Sequence, residues 1–393
     1  MIKFMDIIQN SNSDKFLYKN YFLGFLIVSP LISSITTLIN PSIDIVKFMI
    51  SICLLDFLWT SNRKVDKHVF NLSLLLIFFY LYILFSLTYS PSTNYKFDKY
   101  FNSFGNIIFF LYPLSIQNLN YNILKKVLIF IVVPITLIFY TINFTYNNIF
   151  FNSLVKFNYL LIGFHLGVLI ILLFTTEFRN KYFKYFIILL LLISSARGSI
   201  IFIFIILLIL FFKNYKKINI RYMPKKIIYY PFIFFSIIFI IYNYFEFYFQ
   251  RTIFRFSNFA TGIDNSSLQR LNFMKFAFHE SFENISYFLW GHGFGSFGVF
   301  YFHIDERSYP HNLFIELFFE LGIIGLFLFL FIIFYNLRFF KINNFFSLLL
   351  VFSLFNSMKS GNFSDQWIMF LSLGGLISDY KKNIISSEAY ASR

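Results

Sequence analysis

Charge is what this chain of 393 residues has least of: 13% of it is Asp, Glu, Lys or Arg, against roughly 25% in soluble domains. That excludes an ordinary water-soluble globule, because too few charges are present to cover its surface. Cysteine is nearly absent too. Cys53 stands alone, which excludes an intramolecular disulfide and a cysteine-based metal cluster. No histidine pair shows HxxxH or HExxH spacing, so no metal and no cofactor is expected. Neither a Pro/Ser-rich linker nor an internal repeat breaks the sequence, and residues 1–393 read as a single unit.

What is present in excess is apolar surface: 58% hydrophobic residues, 24% aromatic, and 64 phenylalanines. A membrane-spanning helix needs about 17–25 apolar residues. Twelve runs approach that length, near 21–39, 43–60, 69–89, 100–116, 127–144, 155–175, 182–196, 199–213, 227–247, 313–336, 343–358 and 366–379. The expected fold is all-α: a polytopic membrane protein of about twelve transmembrane helices. No small-residue cleavage site follows the first run, so it reads as a retained span.

The net charge of +15 could signal nucleic acid in a soluble protein. Here it marks membrane flanks, and no nucleic-acid partner is expected. With the N-terminus inside, twenty-two Lys and Arg fall in internal segments and ten in external ones, while Lys47 lies within a span. That bias predicts an even number of spans with both termini cytoplasmic.

Most connections are short, but residues 248–312 form a long external loop. It holds Arg251, Arg255, Arg270 and Arg307 and four of the six histidines. Function concentrates on loops held by a rigid scaffold. Within it, Leu271, Met274, Phe278 and Phe282 recur at helical spacing, predicting an amphipathic helix over 268–290 on the outer membrane face. Arg270 then meets lipid headgroups or a substrate. Next comes the run Gly291-His-Gly-Phe-Gly-Ser-Phe-Gly298. It is either a flexible turn or a backbone cradle for an anion, with Gly293 and Gly295 at its centre.

His311 follows a proline and precedes a long apolar run, so it is expected at a helix N-terminus. There the helix dipole disfavours imidazolium, leaving either a capping or headgroup contact or a neutral general base. Asn312, Glu316 and Glu320 recur every four residues on one stripe, which should face protein, because carboxylates facing lipid are costly. Further back, Ala196-Arg197-Gly198-Ser199 interrupts two apolar runs as an external hairpin. Arg197 either snorkels to the headgroups or clamps a phosphate. Asp44, Lys47 and Asp56 could pair within the second span, and His165 reads as a hydrogen-bonded core residue.

Together, Arg197-Gly-Ser, Arg270, the glycine-rich run and Tyr309-Pro-His-Asn-Leu-Phe-Ile-Glu with Gly322 and Gly325 resemble the O-antigen polymerase and O-antigen ligase superfamily of bacterial envelope glycosyltransferases. The likeness in motif covers roughly residues 190–330. It implies an inner-membrane enzyme with its site on the periplasmic face. The donor it implies is a glycan on undecaprenyl pyrophosphate, transferred to a glycan acceptor without metal or cofactor, with a chain-length regulator as a further partner. On this resemblance Arg197 and Arg270 would hold the pyrophosphate and His311 would act on the acceptor hydroxyl. Arg251, Arg255, Gly293, Gly295, Asn312 and Glu316 would contact substrate. Polymerase is the expected reaction and ligase the alternative. A transporter would instead place broken helices and charges at the midplane.

Overall fold

The computed structural model describes residues 17–40, 42–60, 67–116, 118–145, 159–194, 196–215, 257 and 265–391. The expected ninth span, with Arg251 and Arg255, lies outside the described residues. Among those described there is helix and turn but no strand.

The helices are α1 (Tyr18–Ile39), α2 (Ile45–Thr60), α3 (Lys67–Ser86), α4 (Tyr95–Leu114), α5 (Tyr121–Thr145), α6 (Tyr159–Thr175), α7 (Lys181–Ile193) and α8 (Arg197–Tyr215). They continue with α9 (Asn265–Glu283), α10 (Ile285–Trp290), α11 (Phe297–Phe302), α12 (Leu313–Leu337), α13 (Phe345–Ser360) and α14 (Trp367–Ala391). Four are long and apolar enough to cross a membrane by length and composition, at Tyr18–Thr37, Lys67–Ser86, Tyr121–Thr141 and Leu313–Leu337. Three shorter apolar helices, Tyr159–Thr175, Phe345–Ser360 and Trp367–Tyr380, pack beside them.

One apolar core, from Leu23 on α1 to Ile377 on α14, runs through the bundle. Its outer surface is also apolar. Phe70, Ile77, Phe78, Leu81 and Phe85 on α3, and Phe327, Phe331 and Phe334 on α12, are all more than half exposed. Spacings of three, four and seven residues put each set on one helix face. A water-soluble protein would bury such stripes, whereas lipid tolerates them.

Polar contacts gather at the two ends of this bundle. At one end Lys19 pairs with Asp56 at 3.3 Å, Lys125 donates to the Glu177 carbonyl, and Asn344 and Tyr121 donate to Asp379. At the other, Ser33 meets Asp44, Ser199 meets Asn356, Asn312 meets the Met358 carbonyl and Arg307 pairs with Asp365. The first end carries the segments expected inside, the second those expected outside.

Several expectations need correction. Asp56 pairs with Lys19 rather than Lys47, while Asp44 and Lys47 form an exposed pair of their own at 3.7 Å. The surface helix breaks at Asn284, whose extended backbone (φ −140°, ψ 140°) starts α10 and whose side chain accepts from the Ser286 amide. The apolar stripe expected to lie on the membrane face is the outward one, and a second face packs on the protein. Phe273, Ala277 and Ser281 point inward, and Leu271, Phe278 and Phe282 stay exposed. Both faces are apolar, and the richer interior contact, with Phe297, Tyr301 and Phe319, takes the first.

Candidate functional site

The site is built around the start of α12. Asn312 caps this helix: its side-chain oxygen accepts from the Phe314 and Ile315 amides, which would otherwise lack partners. Its amide donates to the Met358 carbonyl at 2.9 Å, tying α12 to the end of α13. Both functions of Asn312 are therefore used in fixing the backbone.

His311 lies just before the cap rather than in the helix, at φ 60°, a left-handed conformation that is uncommon outside glycine. Its ring stacks on Phe273 of α9, with centroids 5.9 Å apart and planes 12° from parallel, and packs against Tyr309 at 4.5 Å. Burial and, after it, the neighbouring Arg270 cation together depress its pKa to about 4. The imidazole is neutral at physiological pH, as expected, but burial and Arg270 are responsible. Arg270 sits on the half-buried side of α9, one turn before Phe273 and Ala277, and its charge also reaches Tyr309.

The stripe of carboxylates faces protein. Lys99 of α4, fully buried, places its Nζ 2.5 Å from Glu316 Oε1 and 2.6 Å from Glu320 Oε2. Phe294 lies under the same ammonium, 4.7 Å to its centroid, and Glu316 Oε2 accepts from the Phe363 amide at 3.0 Å. Glu316 is thus fully engaged in fastening α4, α12 and the 363–365 turn together, and is not presented to a substrate.

Below this triad α12 is broken. Gly322 takes φ 65°, ψ −171°, and a Cβ there would stand 2.3 Å from the Leu289 carbonyl oxygen. The break frees carbonyls, and the glycine-rich run meets them: His292 N–H donates to Phe319 at 2.8 Å and Gly293 N–H to Glu320 at 2.9 Å. Tyr82 hydroxyl takes Leu321 at 2.8 Å. Gly293 packs so tightly on Ser90 that a Cβ would lie 2.4 Å from its Cα, and Gly295 abuts the Lys96 backbone. The amide of Gly293 is therefore committed to α12.

The loop 303–310 is anchored separately. Asp305 accepts from the Thr93 and Asn94 amides at 2.9 and 2.7 Å and from the Ser92 and Thr93 hydroxyls. Burial would raise its pKa, but these bonds at the start of α4 prevail and hold it well below the usual carboxylate range.

Beyond Tyr309, whose ring packs on His311, opens a cavity of about 480 Å³ between α1, α6, α13 and the start of α14; His311, Arg270 and Arg197 do not line it. Tyr309, Arg307, Lys359 and Asp365 line it. Arg197, the first residue of α8, adjoins it through Gly198, whose Cβ position is 2.7 Å from Lys359 Nζ. The structure thus brings Arg270 and His311 together, and places Arg197 on the far side of the Asn312–Met358–Lys359 connection. Asp44 lines the same cavity, as does His165, whose ring nitrogens lie 2.9 and 3.1 Å from the Leu161 and Ile27 carbonyls.

Sequence reasoning did not single out Lys99, Tyr309, Lys359 or Asp365. Lys99 was one basic flank among many. The others reach the site only through long-range packing.

The O-antigen ligase family model matches residues 182–330. Comparison with curated proteins and with solved structures gave no match. Arg197, Arg270, Gly293, Gly295, Tyr309, His311, Asn312, Glu316 and Gly322 all fall in the matched segment. Over residues 182–330 the chain is similar to the O-antigen ligase family, in keeping with the polymerase and ligase superfamily that its motifs resemble.

Proposed function

We propose that the chain is a twelve-span inner-membrane glycosyltransferase with both termini cytoplasmic and its site on the external face. On this reading it polymerises undecaprenyl-pyrophosphate-linked repeat units into an O-antigen, capsular or exopolysaccharide chain. The acceptor hydroxyl oxygen attacks the donor's anomeric carbon. The bond from that carbon to the pyrophosphate oxygen breaks, and the hydroxyl proton passes to neutral His311. Arg270 and Arg197 hold the departing pyrophosphate, whose negative charge grows in the transition state. Gly293, Gly295, Asn312 and Glu316 serve this arrangement by holding α12 in place, and Arg251 and Arg255 add cationic charge near the membrane surface. The reaction needs no metal, cofactor or nucleic acid, and a chain-length regulator is a natural partner.

The observation that carries this reading is the pairing of Arg270 with a neutral His311, separated by Tyr309 from a polar cavity, inside the segment matched by the family. Ligase is the second reading, favoured by the family's own description as O-antigen ligase. A broken α12 with buried charges is a feature that transporters share. Here loop amides fill the break and Lys99 bridges Glu316 and Glu320, so these groups are spent on holding α12 in place.

The test supplies purified protein with a lipid-linked repeat unit, with and without a lipid A–core acceptor. A ladder from the repeat unit alone supports polymerase. Transfer only when lipid A–core is added overturns polymerase in favour of ligase. Inactivity of well-folded protein with several repeat units overturns both.

A further inference from the structure

The cavity beyond Tyr309 is lined by an unusual excess of acceptors. Ser34, Ser353 and Ser357 donate their hydroxyl hydrogens to the carbonyls of Leu31, Leu350 and Leu354 in their own helices. Thr37 donates to the Ser33 carbonyl, and Ser33 to Asp44. Each hydroxyl hydrogen is used, so each oxygen offers only lone pairs to the cavity. Gln366 uses one of its two Nε2 hydrogens on the Asn362 carbonyl at 2.9 Å and keeps its oxygen as an acceptor and one N–H. The cations of the lining are engaged elsewhere: Arg307 pairs with Asp365, and the Lys359 stem and ammonium lie over Gly198.

A wall of acceptors, with the Asp44 carboxylate among them, suits a ligand rich in hydrogen-bond donors and lacking negative charge. Sugar hydroxyls and N-acetyl or amino groups supply such donors. A carboxylate here would meet lone pairs and Asp44, and would give up its hydration without replacement. A cavity of about 480 Å³ is within the range of small-ligand sites. We infer that this cavity is a glycan subsite that selects neutral or amino sugars over uronates at the sugar next to the reacting centre. The inference rests on the proposed glycan-transfer reading and adds to it which sugars the site takes.

The test measures binding of two soluble disaccharides of equal size to the full-length protein in nanodiscs, by saturation-transfer NMR and calorimetry. One is di-N-acetylchitobiose and the other a glucuronate-terminated disaccharide. The expected result is binding of the first and several-fold weaker binding of the second, because the acceptor wall and the partly exposed, Lys47-paired Asp44 carboxylate disfavour a second carboxylate. Asp44→Asn, which keeps the side-chain oxygen that caps α2, should narrow that ratio. Ser34→Trp, which fills the cavity, should abolish binding. If it fails to fold, Thr37→Tyr from the exposed edge of the same wall serves instead. Equal or tighter binding of the uronate, no binding of either sugar, or binding indifferent to a folded cavity-filling variant would overturn the inference. Selective binding without transfer of any lipid-linked glycan would leave it standing and overturn the proposed reaction. A ladder without selectivity would do the reverse.

Discussion

Lys99 Nζ lies 2.5 Å from Glu316 Oε1, with neither side chain exposed. Two carboxylates and one ammonium share this dry space, so the cation holds the second turn of α12 against α4. Removing it would leave Glu316 and Glu320 facing each other without a counter-charge. Lys99→Met should cost about 3–5 kcal/mol, the usual penalty for orphaning a buried ion. Combining it with Glu316→Gln and Glu320→Gln should recover much of that. Thermal unfolding of the detergent-solubilised variants checks both, and equal stability of the single and triple variants would contradict the triad's role.

Gly322 is a second point of weakness. Its left-handed conformation and the carbonyl of Leu289 against it leave no space for a side chain. Gly322→Ala should cost at least ~1–3 kcal/mol in backbone strain, before counting the displaced loop. Folded yield by size-exclusion chromatography reads this directly.

The loop that carries Arg307 and Tyr309 depends on Asp305. Asp305→Ala removes the acceptor of two backbone amides and two hydroxyls at the start of α4. A loss of about 1–3 kcal/mol is expected for groups left partly unsatisfied. Limited proteolysis should then cut between residues 302 and 309 faster than in the wild type. Asp305 is also held below the usual carboxylate range, so its contribution is present above the unfolded-state pKa and fades as pH falls below it.

His292 gives a pH prediction of the same sign in a higher window. Tyr287, Phe300 and Phe319 surround its ring at centroid distances of 4.0, 4.4 and 4.4 Å. Burial lowers its pKa to about 4, against an opposing pull from the Glu280 carbonyl. The unfolded chain, with an ordinary histidine pKa near 6.5, binds the proton over a window where the folded protein does not. Stability should therefore fall as pH drops from about 6.5 to about 4, and be level in this respect above it. His292→Phe should flatten the slope in pH-dependent melting, and the part that persists belongs to His311.

How much of this was legible beforehand follows from the range of each interaction. Hydropathy acts locally, so most of the described helices could be read from the chain. The carboxylate stripe could be read too, because a four-residue spacing fixes one face of a helix. Its partner Lys99 could not, since 217 and 221 residues separate it from Glu316 and Glu320. The protein-facing side of α9 was not legible for a related reason: the aromatic cluster of α11 and α12 that buries Phe273 and Ala277 comes from other segments. The glycine-rich run looked like an anion cradle; its His292 and Gly293 amides meet the broken helix, while the Gly295 amide donates to the Glu320 carboxylate. Arg307, Tyr309, Lys359 and Asp365 come from three segments that no local pattern connects.

Arg270 bears on catalysis through His311. Its charge is the second cause, after burial, of the low His311 pKa. Arg270→Gln should raise that pKa part of the way from about 4 towards 6.5, so the acid limb of the activity profile should move to higher pH. Weaker donor binding should accompany it. A lower rate with an unmoved acid limb would separate Arg270 from His311.

The central claim is that His311, neutral and next to Arg270, acts on the acceptor hydroxyl in glycan transfer. The most direct measurement is single-turnover transfer from a lipid-linked repeat unit by wild-type protein, His311→Ala and His311→Gln, each first shown to melt at the wild-type temperature. Transfer lost in both variants, with donor binding retained, is the result expected. Transfer at near wild-type rate in either folded variant would contradict the account.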